Sequence, residues 1–129
     1  MPRLLLDTHI VLALLRRNFD QQFRHISRHF SVGGVTGFVS VATLWEIAIK
    51  SRLGKLDTGM RLSDIPANLK LGRLEILGID VAHVLHTLDP APPTRDPFDR
   101  LLLAQCHVEG LSLVTVDRAL VDHPVAFRP

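Results

Sequence analysis

Short apolar runs alternate with stretches of helical periodicity along this chain, and that alternation restricts the fold more than any other feature. Leu4-Leu5-Leu6, Phe38 to Val41, Leu74 to Ile79 and Leu111 to Val116 read as strands. Leu4-Leu5-Leu6 is apolar without a break, as in a strand covered on both faces. Between them, Ile10 to Arg17, Thr43 to Leu53, Val81 to Leu88 and Phe98 to Glu109 carry apolar residues at helical spacing. Gly54 and Gly110 stand where two of these helices must stop. Strand followed by helix, repeated, predicts an α/β fold: a three-layer α/β/α arrangement on a parallel sheet of four to five strands. Val125-Ala126-Phe127 is the candidate fifth strand, at an edge.

Local signals fill in the remainder. Thr8 is placed to cap the first helix, and Arg16-Arg17 suit its C-terminal dipole. Phe19, Phe23, Ile26 and Phe30 form one apolar stripe on a single helix ended by Gly33-Gly34. Ser63-Asp64-Ile65-Pro66 opens a helix that Gly72 closes, and Asp80 caps the one after Ile79. Pro90, Pro92, Pro93 and Pro97 make a loop of the stretch before Phe98.

At 129 residues the chain has room for one domain, and 47% hydrophobic residues supply its core. A net charge of +2 does not by itself argue for nucleic acid, although the basic residues are mostly Arg, which suits bidentate phosphate contacts. The single cysteine, Cys106, excludes an intrachain disulfide and reads as a small packed side chain in a reducing compartment. Met-Pro-Arg and three leucines do not make a signal peptide, and no stretch reaches the ~18 apolar residues of a membrane span. These features lead us to expect a cytoplasmic protein without membrane contact.

Four acids fall at the strand ends or at the helix starts beside them: Asp7, Glu46, Asp99 and Asp117. In an open parallel sheet the crevice lies beyond the carboxyl ends of the strands. Carboxylates gathered there repel one another unless protons or a cation neutralise them. Oxygen donors of this kind suit a hard divalent ion, Mg²⁺ or Mn²⁺. Mg²⁺ takes one or two protein carboxylates directly, so four acids suffice for one ion, or for two that share ligands ~3.5–4 Å apart across a phosphodiester. Such a site needs no nucleophilic side chain. The sequence has no Gly-x-Ser-x-Gly, no Walker loop and no Cys/His zinc spacing. Taken singly, each acid could be a helix cap. Thr8 and Thr115, beside the acids, could bind a metal-bound water or cap a turn.

The residues around these acids resemble a known family. Leu4-Leu5-Leu6-Asp7-Thr8-His9, then Ser40-Val41-Ala42-Thr43-Leu44-Trp45-Glu46-Ile47, then Arg95-Asp96-Pro97-Phe98-Asp99-Arg100 running on to Ala104-Gln105, then Leu113-Val114-Thr115-Val116-Asp117 resemble PIN-domain ribonucleases. Within these they are most similar to the VapC-type toxins of bacterial toxin–antitoxin pairs. The resemblance runs from Leu4 to about Asp122, and Asp-Pro-Phe-Asp-Arg is its most specific piece. It implies a PIN-like domain over residues 1–129 and a Mg²⁺- or Mn²⁺-dependent endoribonuclease. The implied catalytic and metal-binding residues are Asp7, Glu46, Asp99 and Asp117, with Asp96 a further candidate ligand. It also implies RNA as substrate, a homodimer and a small VapB-like antitoxin. Departures are Ile10-Val11-Leu12-Ala13 where relatives often carry Trp, Cys106 where Ala is common, and Val116 where a polar or basic residue is frequent.

Arg95 and Arg100 flank the acidic helix start and are the best candidates to grip phosphate. Arg16, Arg17, Arg24, Arg28, Lys50, Arg52 and Lys55 are further ones, each with a solvated helix face as the plainer explanation. Trp45 is expected to pack and so position Glu46. His9 could orient Asp7 or contact the phosphate, with a buried, satisfied histidine as its plainer reading. The other histidines show no ligand spacing. Two competing functions remain: a PIN-like module that binds RNA or protein without chemistry, and an aspartyl-phosphate phosphatase. The latter would want a second Asp at position 9, where this chain has His.

Overall fold

A computed structural model describes residues 2–30 and 35–128. In chain order the elements are β1 (Arg3–Leu6), α1 (Thr8–Leu15), α2 (Phe19–Gln22), α3 (Arg24–Phe30), β2 (Thr36–Ser40), α4 (Val41–Arg52), a 3₁₀ turn (Leu62–Asp64), α5 (Ile65–Leu71), β3 (Leu74–Leu77), α6 (Val81–Leu85), α7 (Pro97–Glu109) and β4 (Ser112–Val114). The four strands form one parallel sheet in the order β3-β2-β1-β4.

Side chains of β1 alternate between the two faces, as a strand requires, and both faces are covered. Leu4 and Leu6 join a core with Ile10, Val11, Phe19, Ile26, Ile65 and Leu69. Leu5 joins another with Phe38, Leu102, Leu103, Cys106, Leu113 and Leu120. This is why Leu4-Leu5-Leu6 is apolar without a break, and it is the expected three-layer α/β/α fold.

The chain builds the sheet outward from β1 through β2 to β3, then crosses back to lay β4 on the other side of β1. The crevice of such a sheet lies at this reversal, beyond the carboxyl ends of β1 and β4. The Asp7 amide donates to the Val114 carbonyl at 3.1 Å and ties those two ends together.

Several boundaries differ from the sequence reading. Asp7, not Thr8, caps α1: its Oδ1 accepts from the Ile10 amide at 3.1 Å. The Phe19 to Phe30 helix is broken at Phe23, where the backbone leaves helical geometry (φ −124°, ψ 51°). The stripe survives the break, because Phe19 and Ile26 are buried and Phe23 and Phe30 pack against the same core. The proposed stop at Gly33-Gly34 lies outside the described residues. Val125-Ala126-Phe127 makes only an isolated parallel bridge, Leu113 to Ala126, so the named sheet has four strands. Gly110 ends α7 in the left-handed region (φ 67°), where a Cβ would be strained.

Candidate functional site: an acidic crevice

Each acid is delivered by a different local device. Asp7 caps α1 directly after β1 and is 4% exposed. Glu46 sits in the second turn of α4, which Ser40 starts by accepting from the Ala42 amide at 3.0 Å. Asp99 lies in the first turn of α7. Asp117 follows three residues after β4, and its Oδ1 accepts from the Ala119 amide at 2.8 Å.

Short polar contacts connect these residues. The Thr8 hydroxyl donates to Glu46 Oε1 at 2.5 Å. The Thr115 hydroxyl accepts from the Asp117 amide at 3.0 Å and bonds the Asp7 carboxylate. Thr94 donates to Asp99 Oδ2 at 3.2 Å. Thr8 and Thr115 therefore brace the acids, a role the sequence reading did not give them, and Thr115 also closes the turn into Asp117.

Electrostatics show that the acids share one field. Burial raises the pKa of Asp7, and Asp117 adds to the rise; the Thr115 hydroxyl, the Ile10 amide and His9 oppose it. Asp99 is pushed up to about 6, first by burial, then by the charges of Asp96, Asp117 and Glu46, with Thr94 opposing. The raised values report like charges crowded in a partly desolvated crevice, the condition a divalent cation would relieve.

Lys50 is the cation already there. Its Nζ lies 2.8 Å from Glu46 Oε2, and its pKa is raised by that contact and by Asp96 and Asp99. The sequence offered Lys50 only as one phosphate-binding candidate among many, although the i,i+4 spacing from Glu46 was a usable signal. Thr94 was missed altogether, since a loop threonine five residues before Asp99 gives no sequence cue. Thr43, one turn before Glu46, is 1% exposed with an unpartnered hydroxyl among the described residues, and it too was missed.

Other candidates separate. Asp96 is exposed and caps α7, its Oδ1 accepting from the Phe98 amide at 2.8 Å and the Asp99 amide at 3.4 Å. That gives it a structural task beside its pull on Asp99. Arg100 donates through Nη1 to the Thr94 carbonyl at 3.0 Å and so braces the loop, whereas Arg95 is exposed. His9 is exposed, so the buried-histidine reading is wrong: it sits on the solvent side of α1's first turn, where its charge acts on Asp7. Trp45 is 57% exposed and stands edge-on to Phe98 at 5.5 Å, so it does not pack in the core to position Glu46.

Among the described residues, Asp80, His83 and Glu109 are the group of three whose ligand atoms lie within 4.8 Å of one another. They sit by the far end of α7, ~15 Å of helix from Asp99. His83 accepts from the Asp80 amide at 2.9 Å through Nδ1 and meets Glu109 Oε1 at 3.0 Å through Nε2, which uses one nitrogen in a capping box and the other in a hydrogen bond to the carboxylate. The acids of the crevice are more open than this, sharing a field without closing into a cage.

The sequence model of the PIN domain matches residues 4–125. No curated relative matches the chain by sequence. Among solved structures, the chain is similar to VapBC2 from Rickettsia felis bound to a DNA fragment from their promoter, with a TM-score of 0.62 and 17% identity over 96% of this chain and 95% of that one. It is also similar to a toxin–antitoxin complex from Klebsiella pneumoniae, with a TM-score of 0.63 and 15% identity over 96% and 95% of the two chains. At these identities the likeness is one of fold.

Proposed function

The chain belongs to the PIN domain family, and from that premise we propose that it is a metal-dependent endoribonuclease of VapC type, the toxin of a toxin–antitoxin pair. One observation carries the reading: four segments far apart in sequence bring Asp7, Glu46, Asp99 and Asp117 into one electrostatic field at the reversal point of the sheet. Capping alone does not ask Asp7 to be buried, or Asp99 to be held at a pKa of about 6.

The donors suit Mg²⁺ or Mn²⁺. All are hard oxygens, and an open arrangement leaves room for the waters that Mg²⁺ keeps. Asp7, Asp99 and Asp117 would hold the ion, with Glu46 and Asp96 as further candidate ligands. Bound there, the ion supplies an ionised water as nucleophile and neutralises charge on the leaving oxygen. The protein's own share is positional. Thr115 fixes the Asp7 carboxylate, Thr94 that of Asp99, and Thr8 that of Glu46. Lys50, which pairs with Glu46, and the exposed Arg95 are the cations assigned to RNA phosphate, and Lys50 must trade Glu46 for that role.

One similar structure is a VapBC complex and the other a toxin–antitoxin complex, which supports a VapB-like antitoxin as partner; a homodimer is part of the same proposal. No helix is long and apolar enough to cross a membrane among the described residues, which suits a cytoplasmic RNA substrate. A non-catalytic binding module is favoured by one feature, the Lys50–Glu46 ion pair, which satisfies one of the four acids without metal.

Product chemistry distinguishes them. Attack by water with a 3′-oxygen leaving yields 5′-phosphate and 3′-hydroxyl ends. The proposal expects those ends from labelled RNA in Mg²⁺ or Mn²⁺ and intact RNA in EDTA. Cyclic 2′,3′-phosphate ends, or cleavage that ignores EDTA, would refute it.

A further inference from the structure

A second cavity, of about 450 Å³, opens beside the acidic crevice, between the α2–α3 junction and the end of β4. Thr115 lines it, and the same residue bonds Asp7, so cavity and crevice are one residue apart. Its floor is made of Ile26 and Val114, both buried in the core. Phe23, Val116, Val121 and Phe127 form apolar walls, and Val116 is 45% exposed although it stands between Thr115 and Asp117. Phe127 also meets the His29 ring edge-on at 5.8 Å, which holds its orientation.

The rim has the opposite character. Gln22, Arg24 and His25 lie around it with exposed side chains. The cavity is therefore apolar across its walls, polar at its edge, and bordered by the cation of Arg24. An unpaired nucleobase has the matching form: two flat apolar faces, a hydrogen-bonding edge, and a phosphate on either side. Single-stranded RNA is read in this manner, by splaying a base onto aromatic side chains and bonding its edge. An apolar peptide side chain would match the walls but would leave Gln22 and Arg24 without a task.

We propose that this cavity takes one unpaired base of the RNA, next to the nucleotide whose phosphate lies at the carboxylates. The assignment rests on the ribonuclease reading. It gives Val116, exposed between Thr115 and Asp117, a role as part of a base-binding wall.

The test uses the Asp7→Asn full-length protein, so that RNA can be bound without being cut. Its affinity is measured for a single-stranded RNA that the wild type cleaves, and for copies in which one base at a time is removed to leave an abasic site. We expect roughly tenfold weaker binding when the base beside the cleavage position is removed, and little change elsewhere. Adding Val121→Trp, which fills the cavity, abolishes that position-specific loss. Should this variant fail to fold, Gln22→Ala replaces it, because that side chain is exposed and reads only the rim. Equal affinity for every abasic copy overturns the proposal while leaving the nuclease reading intact. A position-specific loss that persists in the filled variant shows that the base is read elsewhere and overturns the proposal as well. A wild type that neither cuts nor binds RNA defeats both.

Discussion

The two ends of α7 hold clusters of titratable groups, and they resolve their charges in opposite ways. At the C-terminal end, Glu109 meets His83, His86 meets His107 at 3.1 Å, and His123 meets the Pro90 carbonyl at 3.1 Å. Each of these groups has a partner, and the result pins α6 and the C-terminal segment to α7. At the N-terminal end, Asp99 faces Asp96, Asp117 and Glu46, like charges that push its pKa up to about 6. Burial and the neighbouring His86 and His123 lower the pKa of His107 as well, but its ring keeps a hydrogen-bonding partner, whereas the acids at the other end face one another. A crowded acidic cluster is retained at such cost where a cation is to be bound, so the unrelieved end is the one assigned to chemistry.

The largest effect should separate the ends by activity. Asp99→Asn should lower RNA cleavage by at least ~100-fold, since losing even an outer partner of a metal ligand costs 10–100-fold. Its melting temperature should hold or rise, because a charge that is costly in the folded state has been removed. A variant that loses activity only in proportion to lost folded protein would erase the distinction.

His83→Ala should do the reverse. Removing a buried, doubly bonded cap should cost about 2 kcal/mol in denaturant unfolding, while cleavage per folded molecule stays unchanged.

Acidity sharpens the contrast further. The pKa of Asp99 is raised on folding, so the folded state binds more protons than the unfolded state between pH about 4 and about 6. The contribution of Asp99 to stability is therefore present at the acid end of that window and is lost as pH rises through about 6. Mn²⁺ competes with the same proton, so its affinity should climb with pH up to about 6, by at most tenfold per unit, and then level off. Calorimetric titration across that range would show it; an affinity flat from pH 5 to 7 would contradict it.

The smallest effect concerns Lys50. Replacing it with Met removes the cation from Glu46 and should tighten Mn²⁺ binding a few-fold. Stability should change by under ~1 kcal/mol, as expected of a half-exposed i,i+4 pair. Weaker metal binding in this variant would mean that Lys50 supports the site rather than competing for it.

The fold was legible because its signals are local. An unbroken apolar run marked β1, a mostly apolar run marked β4, Gly110 marked the end of α7, and acids at strand ends marked the crevice. What escaped depends on contacts between distant residues. Thr8 looked like a cap because capping residues were weighed one at a time, yet its hydroxyl reaches Glu46, 38 positions away. The His83–Glu109 pair spans 26 positions and His86–His107 spans 21, with no periodicity to announce them. Trp45 has the composition of a core residue, and only the tertiary structure turns it outward. Even the site was legible in part only: the sequence placed the four acids, but not the Lys50 pairing or the brace from Thr94.

The most direct test of the account is cleavage of one labelled single-stranded RNA by wild type, Asp99→Asn and His83→Ala, each with Mn²⁺ and with EDTA. The account predicts metal-dependent products from wild type and from the folded fraction of His83→Ala, and none from Asp99→Asn. Equal cleavage by wild type and Asp99→Asn, or cleavage undiminished in EDTA, would contradict it.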